Sequence, residues 1–180
     1  MKTKELTLSA IVLAIIIVLG FVPGVPLGFI PVPIALQNVG IMLAGVILGR
    51  KWGFLTVLGF LLLAALGLPV LTGGNGGFAH FMGPTAGYLI AYPVAAGLIG
   101  WATEVLRARQ QLNFVTLLVT TLIFGLVLID VLGAVGLTIV THMSLGKALL
   151  SQLAFVPGDA AKAVIAAFVG TVLQARKLTL

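Results

Sequence analysis

Apolar residues in this chain run in long blocks, and the breaks between blocks fall at prolines, glycines or basic pairs. Six blocks read as membrane-length helices, at 6–21, 34–49, 52–68, 84–106, 113–140 and 158–174. A crossing takes roughly 20 residues, so six of them use nearly the whole chain. The second block is short and ends at Arg50 and Lys51. Segment 22–33 carries four prolines and cannot be regular helix. Pro93 predicts a kink in the fourth helix, and 107–112 reads as a polar turn. Connection 141–157 is longer, with room for a short helix from Leu145.

Between the third and fourth blocks lies GLPVLTGGNGGFAHFMGPTAG, residues 67–87, with six glycines between Gly73 and Gly87. Glycine allows close approach of backbone to a ligand and supplies positive φ. Non-helical backbone beside a membrane persists where protein or water satisfies its polar groups. The stretch reads either as a disordered connector or as a folded lid over a ligand. Its flanking Leu71, Phe78, Phe81 and Met82 favour the lid.

Composition places the chain firmly in the membrane. It is 61% hydrophobic and 8% charged, with mean hydropathy +1.27, against roughly 25% charged residues in a soluble domain. Residues 1–180 are expected to form one all-α, six-helix transmembrane domain, without a soluble domain. The first block lacks a small-residue cleavage site and reads as a retained helix rather than a signal peptide. With no cysteine there is no disulfide framework. The +6 charge comes from isolated basic pairs between apolar spans, a pattern that does not suggest nucleic acid.

Those pairs set an orientation. Lys2, Lys4, Arg50, Lys51, Arg107, Arg109, Arg176 and Lys177 fall on one side of a six-span topology, eight of the ten basic residues. The positive-inside rule then predicts that both termini are cytoplasmic. The proline-rich, glycine-rich and 141–157 connections face outward as structured loops.

Polar residues within or beside the spans are the candidates for function. Asp159 opens the last span and is expected to cap it, with Lys162 three residues on, on the same face. One reading is an interfacial cap with a snorkelling lysine. The other is a lysine held by Asp159 and aimed at an anionic ligand group, in keeping with the usual meaning of an ionisable residue in a span. Asp130 stands alone in the fifth span and must be paired, protonated or facing a cavity. Asn75 carries donor and acceptor capacity suited to an amide-like or ureido-like group, or is a turn residue in an Asn-Gly pair. Gln37 reads as a mouth residue or an interhelical hydrogen-bonding one. Tyr88 and Tyr92, one turn apart, read as pocket lining or as interfacial belt residues. His80 and His142 have no ligand-spaced partners, so no metal site is expected.

Small residues four apart recur at Ala10/Ala14, Gly45/Gly49 and Ala166/Gly170, a spacing that lets helices pack closely. Ala10 and Ala14 are candidates for docking a partner helix. No triad, carboxylate pair or phosphate-binding loop is present: the glycines at 73–77 precede no GK[ST]. The chain is therefore not expected to be an enzyme or to hydrolyse ATP.

PVPIALQN (31–38), AGVILGRKWG (44–53), GLPVLTGGNGG (67–77), GPTAGYL (83–89) and PGDAAKA (157–163) occur in this order. Together they resemble the BioY family, the biotin-specific S components of energy-coupling-factor (ECF) vitamin transporters, over about nine-tenths of the chain. The resemblance implies a prokaryotic plasma-membrane protein that captures biotin at its outer mouth, as transported ligand rather than cofactor. It implies docking onto a transmembrane coupling subunit and two ATPase subunits through Ala10 and Ala14. It assigns Asp159 and Lys162 to the valerate carboxylate, and the Gly73–Gly74–Asn75 loop to the ureido ring. Ala35 departs from the family pattern where threonine is usual, and the resemblance gives Asp130 no role. The alternative is a self-sufficient carrier for biotin or another small organic anion, with Asp130 carrying a coupling proton.

Overall fold

The structure, a computed structural model, describes residues 3–28 and 30–180; Lys2 lies outside them. Among the described residues five helices are long and apolar enough to cross a bilayer: α1 (Thr3–Gly20), α2 (Asn38–Ala65), α3 (Ala86–Ala108), the composite Phe114–Thr141, and α7 (Val156–Ala175). The composite comprises α4 (Phe114–Thr120), a π-helical stretch (Thr121–Val127) and α5 (Leu128–Thr141). A short α6 (Leu145–Gln152) precedes α7, as its sequence predicts.

The 28 residues of α2 are two helices joined at Gly49, which has φ 74° and ψ −174°. A Cβ on Gly53 would lie 3.2 Å from Gly45 Cα and 2.9 Å from the Ala44 carbonyl oxygen. In one straight helix Ala44 and Gly53 would be about 13 Å apart, so the chain doubles back. The two arms, 38–48 and 50–65, restore six helical passes. Glu104 Oε1 accepts the Arg50 N–H at 2.7 Å and caps the start of the second arm.

Every residue from Asn38 to Gly49 is buried, and a helix apolar all round belongs in a core. The first arm is that core. Ile16 of α1 packs over Gly40, Ile99 of α3 over Gly45, and Val46 against Gly170 of α7. Met42 meets Gly125 in the π-helical stretch. The α3–α5 crossing is closer still: a methyl group on Gly136 would sit 2.5 Å from Gly87 Cα.

Around this core the outer surface is apolar. Val115, Val119, Ile123, Val127, Val131, Val135 and Ile139 are all exposed, four residues apart along the composite helix. Such a ridge fits lipid, since a soluble monomer does not display contiguous apolar surface on this scale.

Several boundaries differ from the expectations. The second helix starts at Asn38 rather than residue 34, because 30–37 is irregular chain pinned by a Val25–Ile34 bridge. No loop separates the second and third helices, since Gly49 turns the chain by itself. α3 runs unbroken through Pro93.

The ends of the bundle are chemically distinct. At one end Lys4 Nζ donates to the Thr179 carbonyl at 2.8 Å. There Arg107 also donates to Gln174 Oε1 and to Thr179 Oγ1, each at 3.0 Å. The Gly49 turn with Arg50 and Lys51 is at this end too, where Leu180 N–H reaches the Ile47 carbonyl at 2.9 Å. Segments 21–28 and 30–37, which are irregular, and 66–85, which includes a 3-10 turn at Phe78–Phe81, close the other end.

Candidate functional site

A cavity of about 390 Å³ opens among segments 31–38, 71–85, α3, α5 and the start of α7. Its size falls within the range of roughly 300–1,000 Å³ found for small-molecule sites. Val32, Pro33, Leu71, Leu89 and Phe155 supply apolar wall. Among the polar residues of the lining, Gln37, Asn38, Asp130, Asp159 and Lys162 are deeply buried.

Asp159 and Lys162 form a buried ion pair, Nζ to Oδ1 at 2.5 Å, with side chains 3% and 6% exposed. Asp159 is not the helix cap expected from the sequence. α7 begins three residues earlier, with Pro157 in its first turn, and the Asp159 N–H already bonds the Phe155 carbonyl. The carboxylate is thereby freed for Lys162. An ammonium has three donors, and Lys162 gives one of them to Asp159. A snorkelling lysine would be exposed; this one is not.

Tyr88 and Tyr92 line the cavity and are buried, which excludes a place in an interfacial belt. The Tyr88 hydroxyl donates to Gln152 Oε1 at 2.7 Å, and its ring meets Phe155 edge-on at 6.2 Å.

Gln37 reaches the cavity but acts mainly as a tie. Its Nε2 donates to the Ile16 carbonyl at 2.9 Å and to the Val70 carbonyl at 2.8 Å. Both of its N–H groups are thus committed to joining α1 and the glycine-rich loop. That loop is folded. Gly73 N–H bonds the Gly20 carbonyl at 2.7 Å, with Gly74 N–H on the same oxygen at 3.3 Å. Gly77 N–H returns to the Ala64 carbonyl at 2.7 Å. Gly73 and Gly74 therefore lie against α1, outside the set of residues that line the cavity. Asn75 does line it, exposed at the mouth, with Nδ2 donating to the Thr72 carbonyl at 2.8 Å and Oδ1 left as acceptor.

Asp130 is 5% exposed and lines the same cavity as Lys162. Asn38, Thr72 and Phe155 are lining residues that no sequence signal singled out. Asn38 stands beside Gln37 in PVPIALQN, inside the helix expected from residue 34. Ala10 and Ala14, by contrast, do not line the cavity and are exposed on α1. The other small-residue pairs face inward: Gly45, Gly49, Ala166 and Gly170 are all buried.

The site is thus an apolar chamber with one ammonium, two carboxylates and several amide and phenol groups, suited to holding a small amphiphilic molecule. The chain belongs to the BioY family, whose pattern it matches over residues 1–178. It is 48% identical to the biotin transporter BioY of Lactococcus lactis subsp. cremoris, over 98% of this chain and 91% of that one. A probable biotin transporter BioY of Bacillus subtilis is 46% identical, over 93% of this chain and 89% of the other. The fold superposes on the crystal structure of the S component for biotin from an ECF-type ABC transporter with TM-score 0.93 and 46% identity. That match covers 97% of this chain and 95% of that one.

Proposed function

We infer that this chain is a biotin transporter, the substrate-binding S component of an ECF-type ABC transporter, and not an enzyme. The observation that carries the reading is the buried Asp159–Lys162 pair in the wall of a ligand-sized apolar cavity. Biotin is a fused apolar bicycle with a valerate carboxylate and a cyclic urea. The apolar walls suit its ring and chain, and Lys162 suits its carboxylate.

Residues 1–180 act as one six-helix transmembrane unit in the plasma membrane of a prokaryote. Lys4, Arg50, Lys51, Arg107, Arg109, Arg176 and Lys177 lie at the end away from the cavity, which supports cytoplasmic termini. The cavity then opens outward, where a scarce vitamin is met. Segment 66–85 serves as its cover, with Asn75 at the rim and Tyr88 and Tyr92 in the wall. Ala10 and Ala14 lie on an exposed face of α1 that also carries Leu6, Ile11 and Val18. That face supports docking onto a transmembrane coupling subunit, with two ATPase subunits supplying the energy.

Calorimetry on the detergent-purified protein tests the site. A charge-assisted contact contributes about 1.5–3 kcal/mol, so Lys162→Ala should weaken biotin binding at least about tenfold. Biotin methyl ester should bind wild type more weakly than biotin, and the gap should close on the variant. An ester that binds wild type as well as biotin removes Lys162 from the carboxylate. No biotin binding by well-folded protein removes the substrate assignment altogether.

A further inference from the structure

A second cavity, of about 500 Å³, lies at the end of the bundle away from the ligand chamber. Three separate elements bring cations to its wall: Lys4 in the first turn of α1, Arg107 in the last turn of α3, and Lys177 just past α7. Among the described residues no carboxylate side chain lines it. The positive-inside rule accounts for basic residues at one end of the bundle. It does not account for three of them, far apart in sequence, sharing one concave wall.

The segment after α7 fixes their spacing. Lys4 Nζ donates to the Thr179 carbonyl at 2.8 Å, and Arg107 Nη2 donates to the Thr179 hydroxyl at 3.0 Å. Two cations held by one residue stand no more than about 10 Å apart, a gap that a phosphodiester with its glycerol can bridge. Thr179 is buried behind them, whereas all three basic side chains are exposed, so an anion reaches them without entering the core. Arg107 is held in place by Gln174 Oε1, which accepts from both Nε and Nη2. Lys4 gives one of its three donors to Thr179 and keeps two. Lys177 makes no hydrogen bond among the described residues, so its ammonium is free to turn to a ligand.

The cavity also continues onto an apolar flank. Thr171 and Gln174 of α7 line it. Phe168 and Val164, three and seven residues before Thr171, lie on the same face of that helix. They are 62% and 44% exposed and carry the face about 10 Å deeper along the bundle. A soluble anion would use the charged wall alone; a molecule with a phosphate and an acyl chain uses both parts.

We propose that this cavity binds the headgroup of an anionic phospholipid, with an acyl chain laid along Phe168 and Val164. Basic pockets between transmembrane helices suit such headgroups. The phosphate would join the ends of α1, α3 and α7. The site is independent of the biotin reading and lies outside the chamber that reading concerns.

Native mass spectrometry in an uncharged detergent tests it. The ligands are phosphatidylglycerol, phosphatidylcholine with the same chains, glycerophosphoglycerol and inorganic phosphate. Wild type should bind phosphatidylglycerol at least about tenfold more tightly than phosphatidylcholine, since each base near the headgroup contributes about fivefold. Lys177→Gln should weaken phosphatidylglycerol about fivefold, and Lys177→Gln with Lys4→Gln more than tenfold, with phosphatidylcholine unmoved. Lys177 ties nothing in the fold, so its variant should keep the wild-type unfolding midpoint without lipid. Lys51→Gln removes the same charge from the same end but outside the cavity, and should leave the preference within about twofold.

Equal binding of the two lipids by wild type overturns the proposal, as does an undiminished preference in the double variant. A loss in Lys51→Gln as large as in Lys177→Gln overturns it too, because diffuse surface charge would then suffice. Glycerophosphoglycerol or inorganic phosphate binding as tightly as the lipid removes the acyl chain and makes a soluble phosphate the occupant. None of these outcomes touches biotin binding, which is measured at the other end.

Discussion

The reversal at Gly49 makes a prediction whose sign distinguishes two architectures. In a continuous helix of 28 residues, Gly49→Ala would be favourable by about 1 kcal/mol, because alanine has the higher helix propensity. In the hairpin, residue 49 holds φ 74° and ψ −174°, a region reserved almost entirely for glycine and costing a side chain on the order of 1–3 kcal/mol. The new methyl group would also meet the Glu104 carboxylate and compete with its bond to the Arg50 N–H, with about 1 kcal/mol more at stake. The expected result is a loss of about 2–4 kcal/mol, read as a lower unfolding midpoint in detergent.

Gly59→Ala is the control, since a methyl group there meets nothing within 4 Å; its midpoint should hold or rise. Adding Glu104→Ala to Gly49→Ala removes the clash but not the backbone strain, so most of the loss should persist. A Gly49→Ala protein as stable as wild type would mean that α2 does not reverse there, and the six-pass arrangement would fall with it.

Other perturbations bear on the cavity and its surroundings. Gln37→Leu strands the Ile16 and Val70 carbonyls at about 1–3 kcal/mol each; amide exchange in 66–77 should accelerate and biotin affinity should fall, whereas unchanged exchange would deny that Gln37 holds the loop. Ala10→Arg should abolish co-purification with the coupling subunit and ATPases while leaving calorimetric biotin binding intact; loss of both would remove the docking role. Gly136→Ala places a methyl group against Gly87 backbone, which has no side chain to move aside, and should cost about 1–3 kcal/mol in a detergent unfolding assay.

Hydropathy made the six passes legible, because lipid and a buried core both demand apolar residues and only the short polar breaks differ. It put the break between the second and third passes at residues 50–51, beside the observed turn, but could not show that Gly49 alone makes it. Arg50 and Lys51 mark a break in hydropathy, but the reversal uses one glycine and leaves the helices abutting. The Asp159–Lys162 pair was readable from its three-residue spacing on one helix. The cap assigned to Asp159 was not correct, since Pro157 is favourable inside the first turn and draws the helix start earlier. Asp130 was conspicuous as a lone charge, yet its surroundings depend on α3 and α7, which no local pattern reveals. Asn38 lay within the helix expected from residue 34, and nothing local marked it as facing a cavity. Gly73 and Gly74 drew attention through their density, but their amides serve Gly20 of α1.

That last contact makes α1 a lever. The helix carries Ala10 and Ala14 on its exposed face, and its only buried residues are Val12, Ile16 and Gly20. Its far end grips the cover of the cavity through the Gly20 carbonyl, and Gln37 joins the Ile16 carbonyl to the same loop at Val70. A partner that tilts α1 by its exposed face must either carry the loop along or strip away those hydrogen bonds. Either outcome disturbs the cover of the chamber, so a push on the flank of the bundle reaches the ligand site through the hydrogen bonds of Gly20 and Gln37.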